Sequence, residues 1–325
     1  MRLLICEFIT GGGMLNEPLP PTLAREGELM LQSLVNDLAA CDRVTHIDVL
    51  RDARLELISG DKVTSLPVAL DFLQSLKRSC DSVDVVLPVA PESSGILQRM
   101  TELITGKSVQ LLASDTAAVE LASGKRRTLA TLAGQGIAVV PVVDPADAHS
   151  RPAQDWVIKP DDGVGGEGCR RLPVPPDNLG GADLLQPFIA GCPASLSLLC
   201  TGGRARLLAV NEQYVDLDQE HCQLRGVNVN GLLPDLTRQQ LDALQALADA
   251  IAAAIPGLWG WVGVDGIFTD GAFTVLEINP RLTTAYCGLH QSLQHNPAEW
   301  LLDLAVDGQL PAFSLAQARP VEVWL

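Results

Sequence analysis

The 325-residue sequence lacks any uninterrupted apolar run near the ~18 residues that a membrane-spanning helix requires, although 47% of its residues are hydrophobic. That apolar content is therefore expected in cores, and the length points to two or three lobes rather than one. Basic residues are scarce: 23 Lys and Arg stand against 39 Asp and Glu, a formal net charge of −16. This balance repels a phosphate backbone, and only short basic clusters such as "GKRRT" (124–128) interrupt it, so nucleic acid is not an expected partner. Small anions are not excluded, because a few lysines and a divalent ion invert the field locally.

The opening "MRLLICEFIT" carries one basic residue and a brief apolar stretch before Glu7, without a small-residue cleavage site, so no signal peptide is expected and the cytoplasm is the expected compartment. No CxxC pair exists among the eight cysteines (Cys6, Cys41, Cys80, Cys169, Cys192, Cys200, Cys222 and Cys287), which suits neither a zinc site nor a disulfide scaffold. They read as reduced and mostly packed. Of the five histidines none sits in a nucleophile motif, and His46 and His290 read as ordinary packed or surface residues. Repeats, heptads and low-complexity tails are missing as well.

What is present begins with an open α/β lobe: strands in "LLICEFI", "VTHIDVL" and "VDVVLPVA" alternate with helices over about Leu23–Ala40 and Leu97–Ile104. Gly11, Gly12 and Gly13 follow the first strand, either as a plain turn or as a weak phosphate nest. Residues 117–134 read as one helix with Lys125 inside it, followed by a strand in "GIAVVPVV". A second lobe then contains "WVIKP" and "LLQPFIA" with a glycine-rich loop between them. The last third carries "SLSLLC", "RARLLAV", a helix over Arg238–Ala254 and two strands, "WVGVDGIF" and "FTVLEINP". Thr237 and Gln240 form a capping-box pattern at that helix, and Pro256-Gly257 ends it. The expected domains are 1–114, 115–190 and 191–325.

In "VGVDGIFTDGAFTVLEINPRLTT" the "TDG" turn makes a hairpin. Glu277 and Asn279 are two apart, so they project from one face, and Asp265 on the partner strand lies beside them. Adjacent carboxylates repel unless a cation neutralises them, and Mg²⁺ accepts one or two carboxylates plus phosphate oxygens. The alternative is a solvent-facing strand with alternating polar residues. Lys159 ends a strand before Gly163, Gly165, Gly166 and Gly168, an arrangement that brings backbone amides and a point charge onto phosphates. A flexible surface hairpin is the plainer reading, but four glycines exceed what a turn needs. Asp161, Asp162 and Glu167 read equally as a solvated loop or as a recognition element.

Taken together, Lys125, "IKP" before the glycine-rich loop, the segment "LLQPFIAG", and Asp265 with "EINPR" resemble the ATP-grasp superfamily in order and approximate spacing. "CEFITGGG", "LAREGELMLQSLVNDL", "LPVAPESSGIL" and "SGKRRTLATLAGQGIAVVP" narrow the resemblance to ligases related to the tyramine–glutamate ligases of methanofuran biosynthesis. The resemblance implies an ATP-grasp fold behind an N-terminal open α/β lobe. It implies that Lys125 and Lys159 contact ATP phosphates, that the loop from Asp161 through Gly163, Gly165 and Gly166 to Gly168 folds over them, and that Gln186, Pro187, Phe188 and Ile189 meet adenine. Asp265, Glu277 and Asn279 would hold Mg²⁺ or Mn²⁺, two ions with Glu277 bridging, and Arg281 would stand near the transferred phosphate.

The chain departs from the common pattern at Pro193, where many relatives place a ribose-binding glutamate, and at Gln186, which replaces an acid. The implied reaction joins a carboxylate such as L-glutamate to an amine such as tyramine or tyrosine through an acyl phosphate, with a homodimer as one option for assembly. A phosphotransferase, a carboxylase or a non-catalytic nucleotide binder are the alternatives. Glu7, Glu26 and Glu92 are candidates for gripping an ammonium group, and Arg225, read as a loop residue, either clamps a carboxylate or is merely solvated.

Overall fold

A computed structural model describes residues 1–325 apart from Ala153, Val164, Gln219 and Glu220. The first lobe runs β1 (Arg2–Glu7), α1 (Pro21–Ala39), β2 (His46–Asp52), β3 (Ser59–Gly60), β4 (Val63–Val68), α2 (Phe72–Ser79), β5 (Val85–Val89), α3 (Ile96–Thr105) and β6 (Gln110–Leu111). Its sheet has the order β3-β4-β2-β1-β5-β6, parallel throughout except for β3 on β4. The two-residue alternation of a strand splits β1 between two cores: Leu3 and Ile5 pack with Leu31, Leu34 and Leu38 of α1, while Leu4 and Cys6 pack with Leu76 of α2 and Leu97 and Met100 of α3. Gly11–Gly13 belong to a single π-helical turn, Ile9–Gly13, in which Gly13 N donates to Phe8 O (2.8 Å). Gly12 adopts φ +97°, and a Cβ there would stand 2.9 Å from Cβ of Val68.

The middle of the chain contains α4 (Thr116–Ser123), α5 (Lys125–Gly134), α6 (Pro145–Ala148), β7 (Trp156–Pro160), β8 (Arg170–Leu172) and β9 (Asp183–Pro187). The single helix expected over 117–134 is two helices broken at Gly124, whose φ and ψ of −97° and 102° are extended. Lys125 therefore opens α5 instead of lying inside a helix. The run "GIAVVPVV" is not a strand of either neighbouring sheet. Val140 N donates to Val275 O (2.9 Å), Val143 N donates to Leu185 O (2.9 Å), and Pro141 between them has no N–H to give. This linker is thus bonded to two sheets in turn. β7 is central in a three-stranded antiparallel sheet, β8-β7-β9.

The last part holds β10 (Cys192–Thr201), β11 (Arg204–Leu217), β12 (Cys222–Val229), α7 (Arg238–Ala254), β13 (Gly260–Thr269), β14 (Ala272–Asn279), α8 (Tyr286–Leu293), α9 (Pro297–Asp307) and β15 (Val321–Trp324). The antiparallel sheet has the order β14-β13-β10-β11-β12-β15. α7 has the expected bounds and the reciprocal Thr237–Gln240 capping box. The β13–β14 turn places Asp270 at φ +51° and Gly271 at φ +83°, the positive values that a two-residue hairpin loop needs. The first and last parts share a core, with Leu34 and Leu38 of α1 in one cluster with Tyr286, Leu289, Leu301 and Leu302. Asp37 reinforces that join, 2.5 Å from Nδ1 of His290. Among the described residues no helix is long and apolar enough to cross a membrane.

Candidate functional site

A cleft of about 440 Å³ opens between the three-stranded sheet and the β13–β14 hairpin. On its floor the hairpin register sets Asp265 opposite Glu277 and Gly263 opposite Asn279, with a bulge after Asp265. All three expected polar residues line the cleft. Asn279 Nδ2 donates to Asp265 Oδ2 (2.8 Å), and Gln213 of β11 donates through Nε2 to the other oxygen (2.9 Å). Burial and the neighbouring Glu277 carboxylate push the Asp265 carboxyl up to about 7 despite those two donors. Burial would raise Glu277 as well, but the ammonium groups of Lys125 and Lys159 outweigh it and hold Glu277 below the usual carboxylate range.

Lys125 and Lys159 reach that floor from two elements. Strand alternation in β7 turns Val157 and Lys159 into the cleft and Trp156 and Ile158 into the small core behind it. Lys159 is buried, and burial followed by the charge of Lys125 lowers its pKa. Lys125 is also buried, yet Glu277, with Oε2 3.2 Å from its Nζ, overcomes the burial cost and raises it. The same Nζ donates to Gly163 O (2.5 Å) and so ties the glycine loop to α5. Gly163, Gly165 and Gly166 line the cleft, while Val164 lies outside the described residues. Gly166 has φ +79°, and a Cβ there would sit 2.7 Å from Cys222 O, so only glycine permits this approach to β12.

Asp161, expected with the loop at the nucleotide, does not line the cleft. Its Oδ1 accepts from Arg126 N (2.7 Å) and its carbonyl accepts from Lys125 N (3.1 Å), capping the start of α5 from a distance. Arg225 is likewise corrected. It lies on β12, exposed, with Nε 2.7 Å from Asp216 Oδ2, whereas its neighbours Cys222, Leu224 and Val227 face the cleft.

At one end Gln186, Pro187, Phe188 and Ile189 all line the cleft, as does Pro193. Gln186 is buried and donates through Nε2 to Val140 O (2.8 Å); its Oε1 is buried without a partner among the described residues. At the other end stand Arg281, Thr283, Thr284 and Glu26. Arg281 is bidentate to Glu92, at 2.9 and 3.0 Å, and this pairing, prevailing over burial, raises its pKa. Glu7 is turned inward, accepting from Ile9 N, Thr10 N and the Thr10 hydroxyl.

Several cleft residues escape sequence reasoning: Gln213, Arg171, Cys169, Cys222 and Thr284. Arg171 lies 3.7 Å over the Phe188 ring and pairs with Asp155. Cys169 and Cys222 are half-buried rather than packed, and a hydrogen bond from Cys222, aided by Lys159, lowers the Cys169 thiol against its burial. None of these belongs to a motif, and the pairs are brought together only by the sheets.

The sequence matches the ATP-grasp domain family over residues 122–285 and the pre-ATP-grasp domain over residues 45–119. It is 28% identical over 297 residues to a tyramine–L-glutamate ligase of Methanocaldococcus jannaschii, spanning 88% of this chain and 84% of the relative. The fold is similar to a structure from Archaeoglobus fulgidus assigned to the ATP-grasp superfamily, with a TM-score of 0.75, 22% identity, and coverage of 100% of this chain and 92% of that one. It is also similar to the biotin carboxylase of Campylobacter jejuni, with a TM-score of 0.70, 15% identity, and coverage of 96% and 72%. Two lysines that meet two carboxylates of a hairpin floor, beside a glycine-rich loop, thus occur in a chain whose matched region spans half its length: the protein belongs to the ATP-grasp family, with an α/β ATP-grasp fold behind a pre-ATP-grasp domain.

Proposed function

We propose that the protein is an ATP-dependent carboxylate–amine ligase that joins L-glutamate to tyramine or a related amine, a step suited to building a methanofuran-type cofactor. The observation that carries this reading is the convergence of Lys125 and Lys159 on Glu277 beside Asp265, in a cleft whose far end offers the unpartnered Oε1 of Gln186. The lysines receive the triphosphate, and the glycine loop brings backbone amides to it. Gln186 Oε1 accepts from the exocyclic amine of the base, which satisfies an otherwise costly buried acceptor. The donor set of two adjacent carboxylates and one amide oxygen fits a hard divalent ion, and Asp265 at about 7 has a carboxylate that such a charge would ionise. Mg²⁺ or Mn²⁺ held there, as two ions, would supply neutralisation of the phosphate charge.

A carboxylate does not acylate an amine at neutral pH because hydroxide leaves poorly. Attack of a carboxylate oxygen on the γ-phosphorus breaks the bond to ADP and gives an acyl phosphate. The amine nitrogen then attacks the acyl carbon, phosphate leaves with the bonding pair, and the nitrogen loses a proton. The protein forms no covalent bond in this scheme; it positions the groups and excludes water.

The test is ADP release from Mg-ATP with L-glutamate and a panel of amines including tyramine and tyrosine, followed by mass spectrometry. ADP release that depends on both substrates, with a product equal to their sum less water, is the expected result. Release indifferent to every amine and driven by bicarbonate would replace the ligase with a carboxylase.

A further inference from the structure

Of the three N-terminal acids that suit an ammonium group, the structure leaves one available. Glu7 holds its own turn through three hydrogen bonds. Glu92 is neutralised by the bidentate Arg281. Glu26, in the second turn of α1, lines the cleft at the end opposite Gln186, beside Thr283, Thr284 and Arg281. Its Oε1 accepts from the Thr284 hydroxyl, while its Oε2 has no hydrogen-bond partner among the described residues; Arg281 feels the Glu26 charge but directs its guanidinium at Glu92 and Leu282 O.

The position of Glu26 is fixed by more than its helix. Gly27 beside it lets α1 close on the buried Glu7, since a Cβ there would stand 2.7 Å from the Glu7 carboxylate. The Thr284 hydroxyl then pins the side chain from the segment that follows β14. A carboxylate held in this way, half-buried and without a direct ion pair among the described residues, is a place for a cation with N–H donors. Resting on the ligase reading above, we propose that Glu26 receives the ammonium group of a substrate and so sets which substrates enter that end of the cleft. Two sources share this chemistry: the incoming amine, which arrives protonated and must lose a proton before it attacks, and the α-ammonium of an amino-acid donor.

The experiment separates activation of the acid from transfer to the amine. Hydroxylamine traps an acyl phosphate as a hydroxamate without needing the amine site, so wild type is first assayed for hydroxamate with ATP and L-glutamate or glutarate, which lacks the α-ammonium. No hydroxamate from any acid in the panel would overturn the ligase reading itself, whatever Glu26 does. With that reaction established, Glu26→Gln is compared with wild type in KM for the amine, KM for glutamate, and hydroxamate rate.

An amine KM raised about 10-fold or more with an unchanged hydroxamate rate assigns Glu26 to the incoming amine. A glutamate KM raised by the same factor, with glutarate handled as in wild type, assigns it to the donor. Glu26→Asp is expected to recover part of the loss in either case. Unchanged KM values for both substrates overturn the proposal. Equal losses in every assay together with lost Mg-ADP binding overturn it too, because Glu26 would then serve the nucleotide site or the fold. Thr284→Val, which removes the pinning hydroxyl but keeps the carboxylate, is expected to show the same KM effect at smaller size.

Discussion

The floor of the cleft is a hairpin within a six-stranded sheet backed by α5 and α7, whereas its roof is a three-stranded sheet on a small core of Val143, Ala148, Trp156, Ile158 and Leu185. Each fully buried aliphatic or aromatic side chain contributes roughly 1.5–3 kcal/mol, so the roof has far less to lose by opening than the floor, where Val262, Val264, Val275 and Ile278 join Leu129, Leu132, Leu244 and Ile251. The polar residues divide accordingly. Asp265, Glu277 and Asn279, which need fixed mutual positions, are on the floor; Lys159 and the glycines, which must meet a ligand and release it, are on the roof.

The largest effect expected from this division is at Lys159. Lys159→Met removes a roof charge while Lys125 still faces Glu277, so ATP turnover is expected to fall by ~100-fold or more while the melting temperature holds or rises, because an ammonium in an unfavourable buried site has gone. A steady-state ADP assay with a thermal melt checks both. Glu277→Gln should do the opposite to the fold: it removes the carboxylate that Lys125 and Lys159 share, at a cost of about 3 kcal/mol in urea unfolding. Equal melting temperatures for the two variants would erase the contrast between roof and floor.

The pH dependence of the floor offers a finer probe. The folded Asp265 carboxyl titrates at about 7, above its ordinary 3.8, so the folded protein binds a proton more tightly than the unfolded chain does. That contribution is full below about pH 4 and is lost as pH rises through 7. Asp265→Asn lacks this fall, and the stability gap in its favour should widen between pH 4 and 7 by about 4 kcal/mol and then level off, measured in metal-free buffer. A gap independent of pH would show that burial and Glu277 do not raise the Asp265 carboxyl.

The smallest effect concerns the roof's edge. Cys169, with its thiol lowered, should be alkylated by iodoacetamide a few-fold faster than Cys222, whose thiol is raised, and Mg-ATP should slow the reaction. Peptide mapping of the labelled sites measures this; equal labelling with and without nucleotide would place Cys169 away from the closing loop.

The floor was legible in the sequence because its signals are local. "TDG" fixes a hairpin turn, the period of two puts Glu277 and Asn279 on one face, and Thr237 with Gln240 announces α7. What escaped depends on contacts between distant residues. The break at Gly124 is stabilised by Asp161 capping the new helix from 35 positions away, and a helical pattern of small and apolar residues gives no sign of it. "GIAVVPVV" has the composition of a strand, but its hydrogen bonds go to two different sheets. Arg225 follows a polar stretch that suggests a loop, and only pairing with β11 and β15 makes it a strand residue on the outer face.

The linker that joins α5 to β7 has a mechanical consequence. Val140 and Ala138 are bonded to Val275 of the floor, Val143 is bonded to Leu185 of the roof, and Gln186 reaches back to Val140. The two sheets are thus joined along a line beside Gln186. Pro187 and Phe188 follow directly on that joint, whereas the glycine loop meets the floor side through the Lys125 ammonium at Gly163 O. Under the proposed nucleotide reading, a phosphate that drew off the Lys125 ammonium would untie Gly163 while the joint beside Gln186 held.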